Sequence, residues 1–314
     1  MSIGTNIKRR RFELNMTQSE LAKAMGYSSK STIAKIESGE NGVSTKKLAS
    51  FAKVLDTTVE ELISGAAAVP VYFENTAETD GRKNIAVILA GGKIKKNVQN
   101  IPNQFISVFG KPIIIYSMEA YQKHPAINEI YVVCIKGWED IVVSYARQFG
   151  ITKLKGIIPS GETGILSVKN AVEFLNGKCE KNDTVIFQES TRPLVTEENI
   201  SKLLLFYEEH GSAVTCGSMS EHLQFLVEDK NIKYIDRNNL IETQSPEAYN
   251  YSELASLFQK AETKNHKFFE SCCSMFMYTL GKKPYFFEGN LSNVKIQRSE
   301  DIALFSAYIG GRIQ

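Results

Sequence analysis

Asn84-Ile85-Ala86-Val87-Ile88-Leu89-Ala90-Gly91-Gly92-Lys93-Ile94-Lys95-Lys96 joins an unbroken apolar run to a loop of glycines and lysines. An apolar run of this length, without alternation, suits a strand buried on both faces, as in a parallel sheet flanked by helices. Further β-rich runs follow at residues 130–135, 156–158 and 184–187, and helices are predicted over 113–123, 138–149, 166–175 and 197–210. Strand–helix alternation of this kind argues for an α/β, Rossmann-like domain with a mostly parallel sheet, whose ligands sit at the carboxyl ends of the strands. The loop after the first strand has two readings. Glycines let backbone N–H groups approach phosphates while lysines neutralise their charge, or the segment is a tight turn with solvated lysines. It is not a P-loop, because Gly-Lys-Ser/Thr is missing, and it is not a Gly-x-Gly-x-x-Gly fingerprint.

At 314 residues the chain is longer than one typical core, so a second domain is expected beside this one. Hydrophobic residues at 43% and charged residues at 23% exclude large-scale disorder. No apolar run reaches the ~20 residues of a membrane span, and the amino terminus lacks the apolar core of a secretion signal. Five scattered cysteines, with no Cys-x-x-Cys pair, argue against a disulfide framework or a zinc site and for free thiols in a cytoplasmic protein. Residues 1–66 carry ten Lys/Arg against seven acids, and the remainder is near neutral. That asymmetry points to a nucleic-acid partner for the first segment alone.

Helix signals are dense there. Thr17-Gln18-Ser19-Glu20 is a capping box, Gly26 permits a tight turn, Ser28 or Ser29 caps the next helix, and Gly39 and Gly42 end it. Together with helices over 5–15, 45–55 and 59–63 this predicts a small all-α, five-helix helix-turn-helix bundle over residues 1–66. A linker over 67–83 and the α/β domain over 84–314 complete the chain. Met16-Thr17-Gln18-Ser19-Glu20-Leu21-Ala22-Lys23-Ala24-Met25-Gly26, followed by Ser31-Thr32-Ile33-Ala34-Lys35-Ile36-Glu37-Ser38-Gly39, resembles the phage-repressor (Cro/C1, XRE) family. The resemblance implies binding to double-stranded DNA, with Gln18, Ser28, Ser29, Lys30 and Thr32 facing it and Arg9–Arg11 or Lys35 meeting phosphates.

In the second domain, Leu89-Ala90-Gly91-Gly92, Ile101-Pro102-Asn103-Gln104-Phe105 and Gly110-Lys111-Pro112-Ile113 resemble the opening of the sugar-nucleotide pyrophosphorylases. Four later blocks narrow the likeness: Ser160-Gly161-Glu162-Thr163; Gln188-Glu189-Ser190-Thr191-Arg192-Pro193; Gln244-Ser245-Pro246-Glu247-Ala248-Tyr249; and Asn293-Val294-Lys295-Ile296. As a set they resemble the methylerythritol-phosphate cytidylyltransferases (IspD-like) and their ribitol-phosphate relatives (TarI-like). The resemblance implies an enzyme joining CTP to an alcohol phosphate with release of pyrophosphate, using Mg2+ and acting as a homodimer. By position, Ala90, Gly91 and Gly92 would cradle the triphosphate, and Gly161, Glu162 and Ser167 would read cytosine. Arg192, Arg237 and Ser245 would hold the alcohol phosphate, Lys95 and Lys295 would neutralise the reacting phosphates, and Glu189 would hold the metal.

Several positions depart from the family pattern. Lys93 and Lys95 stand where a glycine and an arginine are usual, Asn103 replaces a lysine, and Glu189 replaces an aspartate. Glu270-Ser271 replaces a Thr-Asp pair, and Gly164 sits where an arginine is common. Two functions therefore stand at this point: a working cytidylyltransferase with a DNA-binding regulatory domain, or a transcription regulator that senses a nucleotide or alcohol phosphate without turnover.

Overall fold

The computed structural model describes residues 3–14, 16–64, 81–92, 101–218, 224–228, 231–235, 240–268, 270–290 and 292–313. The chain divides into two compact units, Met1–Glu74 and Asn75–Gln314. Most of the expected linker lies outside the described residues.

In the first unit, α1 (Ile3–Glu13), α2 (Gln18–Ala24), α3 (Lys30–Ser38), α4 (Thr45–Val54) and α5 (Val59–Ser64) pack around Ile7, Leu21, Ile33, Phe51, Leu55 and Leu62. The Thr17 hydroxyl accepts from the Glu20 N–H at 3.2 Å, and the Glu20 carboxylate accepts from the Thr17 N–H at 2.7 Å. This reciprocal cap starts α2 at Gln18. Gly26, with φ of +72°, makes the turn, and the Ser29 hydroxyl caps α3 by accepting from the Ser31 N–H. Gly39 closes α3 in the left-handed conformation.

Arg10 and Arg11, read from the sequence as phosphate contacts, are turned inward. Arg10 donates to the carbonyls of Leu55 and Asp56, which the end of α4 leaves without helical partners. Arg11 is buried in a two-pronged pair with Glu37 (Nε to Oε1 2.6 Å, Nη2 to Oε2 3.0 Å) and also donates to the Met16 carbonyl.

The second unit begins with β1 (Asn84–Ala90), followed after residue 100 by a 3-10 turn (Asn103–Phe105), a hairpin of β2 (Ser107–Val108) and β3 (Lys111–Pro112), and α6 (Ile113–Lys123). The chain continues through β4 (Glu129–Cys134), α7 (Glu139–Gln148), β5 (Leu154–Pro159), α8 (Gly164–Phe174), β6 (Thr184–Glu189) and α9 (Glu197–His210). Then come β7 (Ser212–Ser218), a hairpin of β8 (Gln224–Glu228) and β9 (Asn231–Ile235), β10 (Ile241–Asn250), α10 (Tyr251–Thr263), α11 (Cys273–Thr279), β11 (Phe286–Glu288) and α12 (Ser299–Ile313).

Among the described residues, seven strands form one sheet in the order β11-β7-β10-β6-β1-β4-β5, mostly parallel. β10 is the exception, antiparallel to both β6 and β7. Side chains alternate across β1. Ala86, Ile88 and Ala90 face the core under α6, α7 and α9, while Ile85 and Val87 face the core under α8, α10 and α11. This two-sided burial accounts for the absence of polar alternation in the strand, and each buried Ile or Val contributes about 1.5–3 kcal/mol. α8 starts at Gly164, two residues earlier than its apolar pattern suggests, because the Thr163 hydroxyl accepts from the Leu166 N–H.

Candidate active site

The chain runs from β1 outward to β4 and β5, then returns to place β6 on the other side of β1. The connections leading away from β1 (α6, α7) and back to β6 (α8) cover opposite faces of the sheet, so the carboxyl ends of β1 and β6 lie at a switch in strand order, where ligands of such sheets bind. Leu89 and Glu189 are register partners at that point.

β1 leaves the sheet through Ala90, Gly91 and Gly92. The buried Gln104 amide donates to the carbonyls of Ala90 (2.9 Å) and Gly92 (3.1 Å), fixing the first turn of the loop. A Cβ on Gly91 would stand 2.6 Å from the Ser160 Cβ, so glycine is required for the strand to pass beneath the β5–α8 turn. In that turn the Gly161 N–H donates to the buried Ser167 hydroxyl at 3.0 Å, leaving the serine's own O–H to donate elsewhere. Gly91, Gly161 and Ser167 are thus neighbours, while Glu162 is exposed at the mouth of the turn.

Beside this turn lies a cavity of about 140 Å³ whose lining includes Glu189, Arg192, Ser245, Glu247, Ser271 and Lys295. Glu189 ends β6 and is held from two sides. Arg192 Nε donates to its Oε2 at 2.8 Å, and Lys295 Nζ meets its Oε1. Burial alone would raise the Glu189 carboxyl, but Lys295 and Arg192 outweigh it and hold the group below the ordinary carboxylate value. Arg192 is buried and also donates to the Asn293 carbonyl at 2.7 Å. The Ser245 hydroxyl accepts from the Glu189 N–H at 3.0 Å.

Three supporting side chains carried no signal of their own in the sequence: Gln104, Gln188 and Asn293. Gln188 is fully buried and donates to the carbonyls of Glu189 and Arg192, fixing the loop between them. The Asn293 amide donates to Gln244 Oε1 and the Ser245 carbonyl, tying the segment that carries Lys295 to β10. Sequence reasoning also passed over Glu247. It is 5% exposed, accepts from the Tyr249 hydroxyl, the Ser274 N–H and the Ser274 hydroxyl, and burial pushes its carboxyl up to about 7. The sequence marks it only as a member of the block 244–249, with no role of its own, and a buried acid inside a strand requires partners.

The departures from the family pattern have local causes. Asn103 donates to the Gln297 carbonyl at 3.2 Å, joining the 3-10 turn to the approach of α12. A Cβ on Gly164 would lie 2.7 Å from the Ser271 carbonyl oxygen, so the 270–273 segment fills the space a side chain at 164 would need. Glu270 points away from the cavity into a buried network with His266 (2.7 Å) and Thr279 (2.9 Å), leaving Ser271 to line it. Lys93, Lys95 and Arg237 lie outside the described residues. Among the described residues no group of three His, Cys, Asp or Glu side chains could hold a metal. Glu189 and Glu247 both line the cavity, and Glu189, at the end of β6 beside Arg192 and Lys295, is the kind of single carboxylate that Mg2+ shares with substrate phosphates.

In the first unit Ser28, Ser29 and Lys30 are exposed at the start of α3 and Thr32 is half-buried. Gln18 differs from them, because its amide donates to Glu37 Oε2 at 2.9 Å and extends the Arg11–Glu37 pair.

Residues 84–311 match the family described as IspD: 2-C-methyl-D-erythritol 4-phosphate cytidylyltransferase. The chain belongs to that family. Residues 7–62 match the helix-turn-helix family, so the IspD-family domain is fused to a domain of the XRE type. The ribitol-5-phosphate cytidylyltransferase of Lacticaseibacillus paracasei is 39% identical over 226 residues, which cover 71% of this chain and 97% of the relative. The ribitol-5-phosphate cytidylyltransferase of Streptococcus agalactiae is 30% identical over 232 residues, covering 73% and 96%. Among solved structures, the 4-diphosphocytidyl-2C-methyl-D-erythritol synthase of Anaerococcus prevotii superposes with a TM-score of 0.63 at 20% identity. It covers 74% of this chain and 97% of its own, and the likeness concerns the fold alone. The matched IspD segment contains every cavity residue named above.

Proposed function

We propose that the IspD-family domain transfers a cytidylyl group from CTP to an alcohol phosphate of the ribitol-phosphate or methylerythritol-phosphate type, and that the helix-turn-helix domain binds double-stranded DNA to regulate transcription. The observation that carries the first part is the convergence of Glu189, Arg192, Ser245 and Lys295 on one cavity, in a chain 39% identical to a ribitol-5-phosphate cytidylyltransferase. An oxygen of the alcohol phosphate attacks the α-phosphorus of CTP. A new P–O bond forms as the α–β bridge breaks, and pyrophosphate leaves with the electron pair.

In this reading Ala90, Gly91 and Gly92 cradle the triphosphate in a loop that Gln104 pre-shapes, and Gly161, Glu162 and Ser167 take the cytosine. Arg192 and Ser245, with Arg237, hold the alcohol phosphate, and Lys295 and Lys95 balance charge on the reacting phosphates. Fixed cations aimed at developing charge are usually what lowers the barrier most in a site of this kind. A magnesium ion carried by the triphosphate would take Glu189 as its protein ligand and neutralise phosphate charge. An incoming phosphate competes with Glu189 for Arg192 and Lys295, so the resting ion pairs keep both cations positioned until substrate arrives.

The purified protein with CTP, magnesium and ribitol 5-phosphate or methylerythritol 4-phosphate is expected to release pyrophosphate. Asn103, whose amide is spent on Gln297 where relatives carry a lysine, favours a second reading: a regulator that binds these ligands without turnover. CTP binding with no pyrophosphate release from any alcohol phosphate decides for that reading. For DNA, Lys30→Ala and Thr32→Ala should weaken a sequence-specific complex more than a non-specific one. Equal weakening of both removes α3 from the role of reading helix. A homodimer in the cytoplasm accords with both domains, and sedimentation tests the dimer.

A further inference from the structure

The cavity lining carries two chemically different groups. Arg192 and Lys295 meet at Glu189, and Glu247 is a second acid that neither cation pairs. Glu247 pairs with Phe187 across β10 and β6. Directly paired residues share a face of the sheet, so its side chain rises beside those of Phe187 and of Glu189, two residues further along. Its Oε2 accepts from the Tyr249 hydroxyl (2.7 Å) and the Ser274 N–H (3.1 Å), while Oε1 accepts from the Ser274 hydroxyl at 3.2 Å. That hydroxyl also lies 3.2 Å from Cys272 Sγ and has an alternative partner. A carboxylate has about four lone-pair sites, so Oε1 retains capacity toward the cavity. Thr243, Gln244, Ser245 and Ser271 line the same space.

A carboxyl buried in this way is costly unless its polar atoms are satisfied, and next to Glu189 it opposes a second anion. It suits a ligand that carries hydroxyl groups beside its phosphate. We propose that Glu247 is a specificity-determining residue, its carboxyl reading the hydroxyl chain of an alcohol phosphate whose phosphate is held at Arg192 and Lys295. This rests on the cytidylyltransferase reading above.

The test is calorimetric binding to the full chain at pH 7 with EDTA present, so that turnover does not enter. The probes are ribitol 5-phosphate and inorganic phosphate. Wild type should prefer ribitol 5-phosphate by about 10-fold or more, as expected of a buried polar group matched to a substrate hydroxyl. Glu247→Gln keeps an oxygen for the Tyr249 hydroxyl and the Ser274 N–H but places a donor where Oε1 stood. It should lose most of that preference while binding inorganic phosphate as before. A wild type without the preference, or a folded Glu247→Gln that keeps it, overturns the assignment. Should Glu247→Gln fail to fold, Glu247→Asp, which withdraws the carboxyl by one methylene, is read the same way. Pyrophosphate release is scored separately. A protein that reads ribitol 5-phosphate through Glu247 yet releases none leaves this inference standing and removes only the enzymatic one.

Discussion

Each unit contains a glutamate gripped by an arginine, and the two pairs differ in what surrounds them. Arg11 and Glu37 have side chains 5% and 2% exposed, and the Gln18 amide occupies Glu37 Oε2 as well. Glu189 and Lys295 are 29% and 34% exposed and border a cavity, although Arg192 beside them is as buried as Arg11. The chemistry is the same, but the first pair is closed to anything except its own helices. In the second, under the proposed function, an incoming phosphate replaces the carboxylate as partner of the cations. Burial of the acid, more than the presence of the pair, separates a structural clamp from a site held ready for an anion.

Breaking the closed pair should give the largest effect. Glu37→Ala leaves the Arg11 charge buried without its partner, a change that costs about 3–5 kcal/mol. A helical unit of some sixty residues has little more stability than that. Amide hydrogen exchange should show residues 3–64 losing protection while residues 84–311 keep theirs. Retained protection in the first unit would mean that Arg11 finds another acceptor and the clamp is dispensable.

The open pair should behave in the opposite sense. Lys295→Met should lower pyrophosphate release by about 100- to 1000-fold, the range for removing one preorganised electrostatic contact. The melting temperature of the second unit should move little, since a partly exposed ion pair is worth about 0–1 kcal/mol. A large fall in stability with little change in rate would reverse the comparison and make Lys295 structural.

A subtler change tests how the cavity wall was reshaped. Gly164→Ala places a methyl group 2.7 Å from the Ser271 carbonyl oxygen, a backbone atom that cannot swing aside. Overpacking of this kind costs about 1–3 kcal/mol. It should raise the KM for the alcohol phosphate several-fold more than the KM for CTP, because Ser271 lines the cavity and the Gly91–Ser167 contact lies on the other side of the turn. Equal effects on both would place the strain in α8 as a whole. Gly164→Arg should not improve activity, for the same steric reason.

The parts legible in the sequence were those written in local chemistry. The cap at Thr17 and Glu20, the Gly26 turn and the strand over 85–89, buried from 85 to 88, depend on neighbours in the chain, and each forms where its residues predict. What stayed hidden depends on partners far away in sequence. Arg10 and Arg11 read as a basic run, and only their contacts with residues 55–56 and Glu37 turn them inward. Gln18 fits the DNA-facing pattern by position, yet its amide meets Glu37, nineteen residues on. β10 escaped an apolar-run search because its first half is polar and exposed, and Glu247 escaped with it. Of the residues the family-like blocks singled out, Glu189, Arg192, Ser245 and Lys295 line one cavity, while Lys95 and Arg237 lie outside the described residues. The blocks did not tell that Glu189 would occupy both cations, or that the 270–273 segment would close over Gly164.

Glu247 sharpens the comparison further, as a buried acid whose hydrogen bonds come from Tyr249 and Ser274, neither of them a cation. Its carboxyl is pushed up to about 7, chiefly by burial, with Glu189 adding repulsion and Tyr249 and Ser274 opposing the rise. Arg192 and Lys295 share its cavity but are turned to Glu189. An acid whose folded value lies above its ordinary 4.5 destabilises the fold as pH rises between those two values, and the penalty is constant above the higher one. Glu189 has the opposite sign. Held below the ordinary value, it contributes stability above that value that is lost as pH falls below it. His124, held down to about 4 by burial, also loses stability as pH falls from its ordinary 6.5, so it masks Glu247 in a simple pH titration of wild type. The difference between Glu247→Gln and wild type removes that masking. Relative to wild type, the melting temperature of Glu247→Gln should gain a few degrees between pH 5 and pH 8, since displacing a carboxyl by one pH unit is worth about 1.4 kcal/mol at most. The gain should level off above about pH 7. A difference that stays flat across that interval would mean that Glu247 is ionised throughout, paired as firmly as Glu37, and the contrast between the closed clamp and the open site would no longer extend to it.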